Sequence, residues 1–91
     1  METDVNIILD ERGSNYGPFY SHAELTQALK NTFYSYAESE DILTPSMREA
    51  LDMIFHKIGR IGNGNPYYKD SWIDICGYAQ LIVNELEGKN I

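Results

Sequence analysis

A chain of 91 residues with 14 acidic and 7 basic side chains, net charge −7, makes one domain and lacks the clustered cations that a nucleic-acid backbone or an anionic membrane requires. A single cysteine excludes an internal disulfide and points to a reducing cytoplasm, and no apolar run reaches the length of a membrane span. The hydrophobic fraction of 43% fits a folded chain, but one this short forms only a modest core, which favours self-association.

The opening Met1-Glu2-Thr3-Asp4 carries neither the basic nor the apolar stretch of a signal peptide. Residues 3–12 read as a short first helix with Val5, Ile8 and Leu9 inward, although Ile7-Ile8-Leu9 fits a strand equally well. Gly13-Ser14-Asn15-Tyr16-Gly17-Pro18 then breaks the element. Ser21-His22-Ala23-Glu24 has the form of a capping box and predicts a second helix to about Tyr36. Leu25, Ala28, Leu29, Thr32 and Tyr36 follow helical spacing along it. His22 reads as an ordinary first-turn residue. Glu38, Glu40 and Asp41 fall in the connection that follows, where a solvated loop is the simplest reading.

Thr44 and Pro45 are a good N-cap and first residue for a third helix ending between Gly59 and Gly62. Met47, Ala50, Leu51, Ile54, Ile58 and Ile61 make one apolar stripe on it. Gly62-Asn63-Gly64-Asn65-Pro66 is a turn-rich connection. A fourth helix starts at Asp70 or Ser71 and ends near Glu87, with Gly88 as terminator. The expected fold is therefore all-α: a single domain over 1–91, a compact bundle of about four helices, oligomeric.

Three groups of residues are candidates for chemistry. On the third helix Glu49, Asp52, His56 and Arg60 fall within a band of roughly 80° opposite the apolar stripe. Carboxylates beside an imidazole can hold a metal or move a proton, or can be a solvated face whose nearby cations, Arg48, Lys57 and Arg60, compete for the acids. On the fourth helix Trp72, Ile75, Ala79, Ile82, Val83 and Leu86 form the expected core side, with Cys76 as a small core residue. Asp74 stands away from that side with Asp70, Gly77, Tyr78 and Leu81. That second face predicts contact with another helix, a subunit or a ligand, and Tyr78 is in place to donate its hydroxyl to Asp74. The third group is Asp10-Glu11-Arg12 with Tyr16-Gly17-Pro18-Phe19, a glycine-bearing turn before a helix N-terminus, where an anion could be received.

Leu9-Asp10-Glu11-Arg12, Tyr16-Gly17-Pro18-Phe19, Leu43-Thr44-Pro45, Arg48-Glu49-Ala50-Leu51-Asp52-Met53-Ile54 and Asp70-Ser71-Trp72-Ile73-Asp74-Ile75-Cys76-Gly77-Tyr78-Ala79 together resemble a family of small phage and prophage proteins of unknown function. The resemblance covers residues 7–86 and implies a helical fold, a phage or prophage origin and thus the host cytoplasm. A weaker resemblance runs to the MazG-like all-α nucleoside triphosphate pyrophosphohydrolases. In those enzymes acidic pairs on two helices hold Mg²⁺. Glu49 and Asp52 look like the first pair and Asp70 and Asp74 like the second, although the second spacing is one residue too long.

The expected function is binding, with or without hydrolysis, of a nucleotide with Mg²⁺ on Glu49, Asp52, Asp70 and Asp74. Asp10, Arg12, Tyr16, His56, Lys57, Arg60, Trp72 and Tyr78 are the expected ligand or interface residues. The alternative is an acidic phage-encoded blocker of a host defence protein, without catalysis. Neither reading involves direct nucleic-acid binding or a membrane.

Overall fold

The computed structural model describes residues 4–89. Its elements are α1 (Asp4–Tyr16), α2 (Phe19–Tyr36), a single 3-10 turn (Glu40–Ile42), α3 (Pro45–Asn63) and α4 (Lys69–Leu86), with no strand among the described residues. The all-α expectation holds, and Ile7-Ile8-Leu9 is helical. The expected start at Thr3 lies outside the described residues.

The helix ends differ from the sequence reading for local reasons. α1 continues through Gly13 and stops at Gly17, whose φ of 77° few side-chain-bearing residues adopt. The Gly17 amide donates to the Gly13 carbonyl at 2.9 Å and closes that turn. α2 begins at Phe19, with extended Pro18 before it, so Ser21 is already inside the first turn. The Ser21 hydroxyl donates to the Pro18 carbonyl at 3.3 Å rather than forming a capping box. At α3 the Thr44 hydroxyl oxygen accepts from the Met47 amide at 3.1 Å, the predicted cap.

α3 is the centre of the molecule. α2 packs along one side of it, α4 along the other, and α1 touches α2 and α3 more lightly. The two buried sides of α3 share only Ala50 with its apolar stripe. Asp52, His56 and Gly59 turn towards α2, while Ala50 and Lys57 turn towards α4. Ile58, in the middle of the stripe, is 38% exposed. Gly59 marks the closest approach of α2: a Cβ there would collide with the Thr26 hydroxyl and the His22 ring.

Little apolar surface is enclosed. Ala50 is the one buried hydrophobic side chain among the described residues, and the other buried positions include His22, Thr26, Lys57 and Ser71. The expected inward residues of α1 are exposed: Val5, Ile8 and Leu9 at 63%, 44% and 55%. On α2 the buried line runs through His22 and Thr26, while Tyr36 is exposed. α4 faces α3 with Ser71, Asp74, Ile75, Tyr78 and Ile82, so Trp72, Ala79, Val83 and Leu86, expected in the core, are exposed. Cys76, expected inside with them, is exposed too. The Cα radius of gyration is 15.3 Å, against about 12 Å for a tightly packed chain of this length.

Candidate functional site, a cationic and aromatic cleft between three helices

The α1–α2 turn docks on the end of α3 through Asn63. Its side-chain amide donates to the Tyr16 carbonyl at 2.9 Å and to the Pro18 carbonyl at 2.8 Å. The Asn65 amide donates to the Asn15 carbonyl at 2.7 Å. The turn is thus held against α3 at three backbone carbonyls, and a side chain at Gly17 would strike Asn63.

This docking opens a cleft of about 400 Å³ between α1, α2 and α3. Leu9, Arg12, Tyr16, Phe19, His22, His56 and Arg60 supply its side-chain walls, with Gly13, Gly17 and Pro18 at the turn. No Asp or Glu is among these lining residues, although the chain carries 14 acids. The cleft is therefore a cationic spot in an anionic protein. The Arg60 guanidinium lies over the Tyr16 ring, 4.0 Å from its centroid, and is braced by that cation–π contact. Phe19 leans on His22 with ring centroids 5.9 Å apart.

Two imidazoles form the inner wall. His22 Nε2 and His56 Nδ1 are 3.3 Å apart, their rings edge to face at 83°. One nitrogen donates and the other accepts, so the contact needs at least one neutral ring. Thr26 Oγ1 lies 3.5 Å from His22 Nδ1 and completes the chain of polar groups. Burial, then the Arg60 charge, then His22 and the Lys57 and Lys30 ammoniums, lower the pKa of His56 from 6.5 to about 4. Burial is also the main reason that His22 sits below its ordinary value; a Gly59 backbone hydrogen bond works the other way. Both rings are neutral at pH 7.

The sequence-predicted residues divide clearly. Arg12, Tyr16, His56 and Arg60 meet in the cleft; Asp10 is exposed on α1, outside its lining. Lys57, expected at a ligand or interface, is buried, and its ammonium lies 2.8 Å from Asp74 Oδ2. Asp74 thus has a cation partner from α3, where the sequence suggested the Tyr78 hydroxyl. Trp72 donates its indole N–H to the Pro66 carbonyl at 2.8 Å and leaves its ring half out of the protein. Tyr78 is half-buried beside Ala50, Leu81 and Ile82.

The four carboxylates expected to share Mg²⁺ have separate surroundings. Asp52 accepts from the Tyr34 hydroxyl at 3.3 Å, with Lys30 Nζ 4.0 Å away. Asp74 is taken by Lys57. Glu49 is exposed at the α3–α4 groove, and Asp70 lies in the first turn of α4, where it raises the Tyr68 pKa by its charge and a hydrogen bond. Among the described residues no group of three or more His, Cys, Asp or Glu side chains gathers so as to hold a metal. The helical wheel placed these acids on suitable faces, but neighbouring cations and a phenol occupy two of them.

His22 and Asn63 were not expected at a site from the sequence, and Phe19 entered only as the end of the third candidate segment. The available signal was Gly59, a mid-helix glycine on the same side of α3 as His56, which marks a close helix contact. What this contact brings in, a His and a Thr one turn apart on α2, was visible only once the helices were paired.

Fold and cleft together define a small all-helical domain with a pocket walled by arginine, histidine and aromatic side chains. The chain belongs to the family described as Domain of unknown function (DUF6378), whose match spans residues 1–86. No curated protein and no solved structure matches it. No described helix is long and apolar enough to cross a membrane.

Proposed function

We propose that this protein binds a small phosphorylated aromatic ligand, a nucleotide, in the α1–α2–α3 cleft. The observation that carries this reading is the pairing of Arg12 and Arg60 with Tyr16 and Phe19 in a pocket with no carboxylate among its described lining residues. Guanidinium groups suit phosphate through paired N–H donors, and aromatic walls suit a base through stacking. The cavity volume, about 400 Å³, lies in the range of small-ligand sites.

Mg²⁺, on this reading, arrives on the nucleotide's phosphates, as is common for that ion, rather than on Glu49, Asp52, Asp70 and Asp74. His22 and His56, neutral at pH 7, offer a hydrogen bond to the ligand without adding charge. No hydrolytic step is assigned. A cytoplasmic setting, supported by the single cysteine and by the residue resemblance, a phage or prophage origin and a role against host defence belong to the same proposal.

The test is amide chemical-shift mapping with AMP, ATP, GTP and inorganic phosphate, in EDTA and then with Mg²⁺. The expected shifts centre on Arg12, Tyr16, Phe19 and Arg60 in EDTA. Shifts that appear only with Mg²⁺, and around Asp70 and Asp74, would return the site to the carboxylates.

A second reading has its own observation. Tyr20, Tyr36 and Tyr67 are 76%, 82% and 90% exposed on an acidic surface, which suits docking to a basic host protein. Retention of one host protein at low salt and its release at high salt would support this; no retention at low salt would end it.

A further inference from the structure

We propose that the protein is a dimer in which α4 of one copy lies antiparallel against α4 of a second. The seam runs through Trp72, Cys76, Ala79, Val83 and Leu86. The inference is independent of the cleft ligand.

The spacing is the first ground. The five residues recur at steps of four, three, four and three, the repeat of a helix seam that packs against another helix. Every one of them is exposed in the single chain, Trp72 at 52%, Val83 at 43% and Leu86 at 71%. α4 meets α3 with a neighbouring face, so this stripe lies free rather than serving the core.

The area is the second ground. The chain exposes 6644 Å², whereas a folded monomer of 10.4 kDa exposes about 5,400 Å². The surplus, roughly 1,200 Å², is what one subunit of a permanent homodimer buries. Ala50 is the one buried hydrophobic side chain among the described residues, so the deficit belongs to the chain itself. A partner present whenever the chain is made, a second copy, answers it directly.

Charge sets the direction. The last turn of α4 carries Glu85 and no basic residue, with Glu87 paired to Lys89 at 3.0 Å just beyond it, whereas in the first turn Lys69 and Asp70 offset each other. A parallel pair would press the two acidic ends together in a chain already at −7. An antiparallel pair sets each acidic end near the other copy's helix N-terminus, where free N–H groups carry partial positive charge. Ala79, the smallest side chain of the seam and its middle residue, is the point of crossing. Cys76 then lies about 9 Å along the axis from its symmetry mate, too far for a disulfide.

Sedimentation equilibrium of the full chain at 5–100 µM, a range set to about bracket a permanent dimer's dissociation, reads the mass; zero-length oxidation reads the crossing. The expected result is a dimer mass, with Val83→Glu weakening it on the order of 100-fold or more because a charge enters an apolar seam. If Val83→Glu fails to fold, cross-linking decides: Ala79→Cys in a Cys76→Ser background is expected to form a disulfide dimer, and the natural chain is not. A monomer at 100 µM overturns the proposal. So does a dimer that Ala79→Cys does not trap, or one that the natural Cys76 links efficiently.

Discussion

Lys57 Nζ lies 2.8 Å from Asp74 Oδ2, and this pair fastens α3 to α4. The Lys57 side chain is 11% exposed and that of Asp74 44%, so the lysine is the partner that suffers when the pair is broken. Asp74→Asn leaves a buried ammonium facing a neutral amide. The expected loss is about 1–2 kcal/mol of stability, a figure kept low because the acid itself is half in water. Urea unfolding measures it as a lower midpoint at unchanged slope. An unchanged midpoint would mean that Lys57 finds another acceptor.

Gly59→Ala tests the contact between α2 and α3. The added methyl meets the Thr26 hydroxyl and the His22 ring, which are buried and have little room to shift. The expected cost is about 1–3 kcal/mol, against the roughly 1 kcal/mol gain that the change brings in an open helix. Gly77→Ala is the control: a Cβ there meets nothing within 4 Å, so that variant is expected to keep or raise the melting temperature. Equal behaviour of the two would contradict the packing.

The histidine pair predicts a pH dependence with a definite sign. His56 is lowered from 6.5 to about 4 and His22 is lowered as well, so the unfolded chain takes up protons that the folded chain refuses. Their contribution is complete above the ordinary histidine pKa. It is lost as pH falls from about 6.5 towards 4. Urea midpoints at pH 7.5 and pH 5.5 read this loss before most carboxylates titrate. His56→Gln is expected to flatten the slope; an unchanged slope would contradict the pairing.

Asn63 predicts a link between fold and cleft. Asn63→Ala removes both donors to the α1–α2 turn, at 2.9 and 2.8 Å. The Tyr16 and Pro18 carbonyls turn to water, and the expected loss is about 1–2 kcal/mol. Hydrogen exchange is expected to speed up in α1 and at the Gly17 turn and to change little in α4. Uniform acceleration across the chain would show that the turn is not a separate unit.

The sequence was most legible where local rules decide structure. Thr44 and Pro45 placed the start of α3 correctly because a cap is a contact within one turn. Ser21 misled because the same residue types also serve inside a first turn, and Pro18, extended, had already opened the helix. The apolar stripes of α3 and α4 were legible as stripes, but only Ala50 of the first is buried and only Ile75 and Ile82 of the second face α3, since spacing says which residues share a face and not what that face meets. Asp74 illustrates the site problem: its isolation among apolar residues was plain, whereas its partner, Lys57, sits 17 positions away on another helix. Arg12 and Arg60 were each singled out, but only the docking of the Gly17 turn on Asn63 puts them in one cleft.

Isothermal titration of AMP and ATP into the natural chain and Arg60→Gln, in EDTA, tests the cleft most directly. Saturable one-site heat is predicted for the natural chain, weakened at least about tenfold in Arg60→Gln, as removal of one charged hydrogen-bonding group implies. Absence of heat for both nucleotides, or binding that survives Arg60→Gln and disappears in Asp74→Asn, would contradict the account.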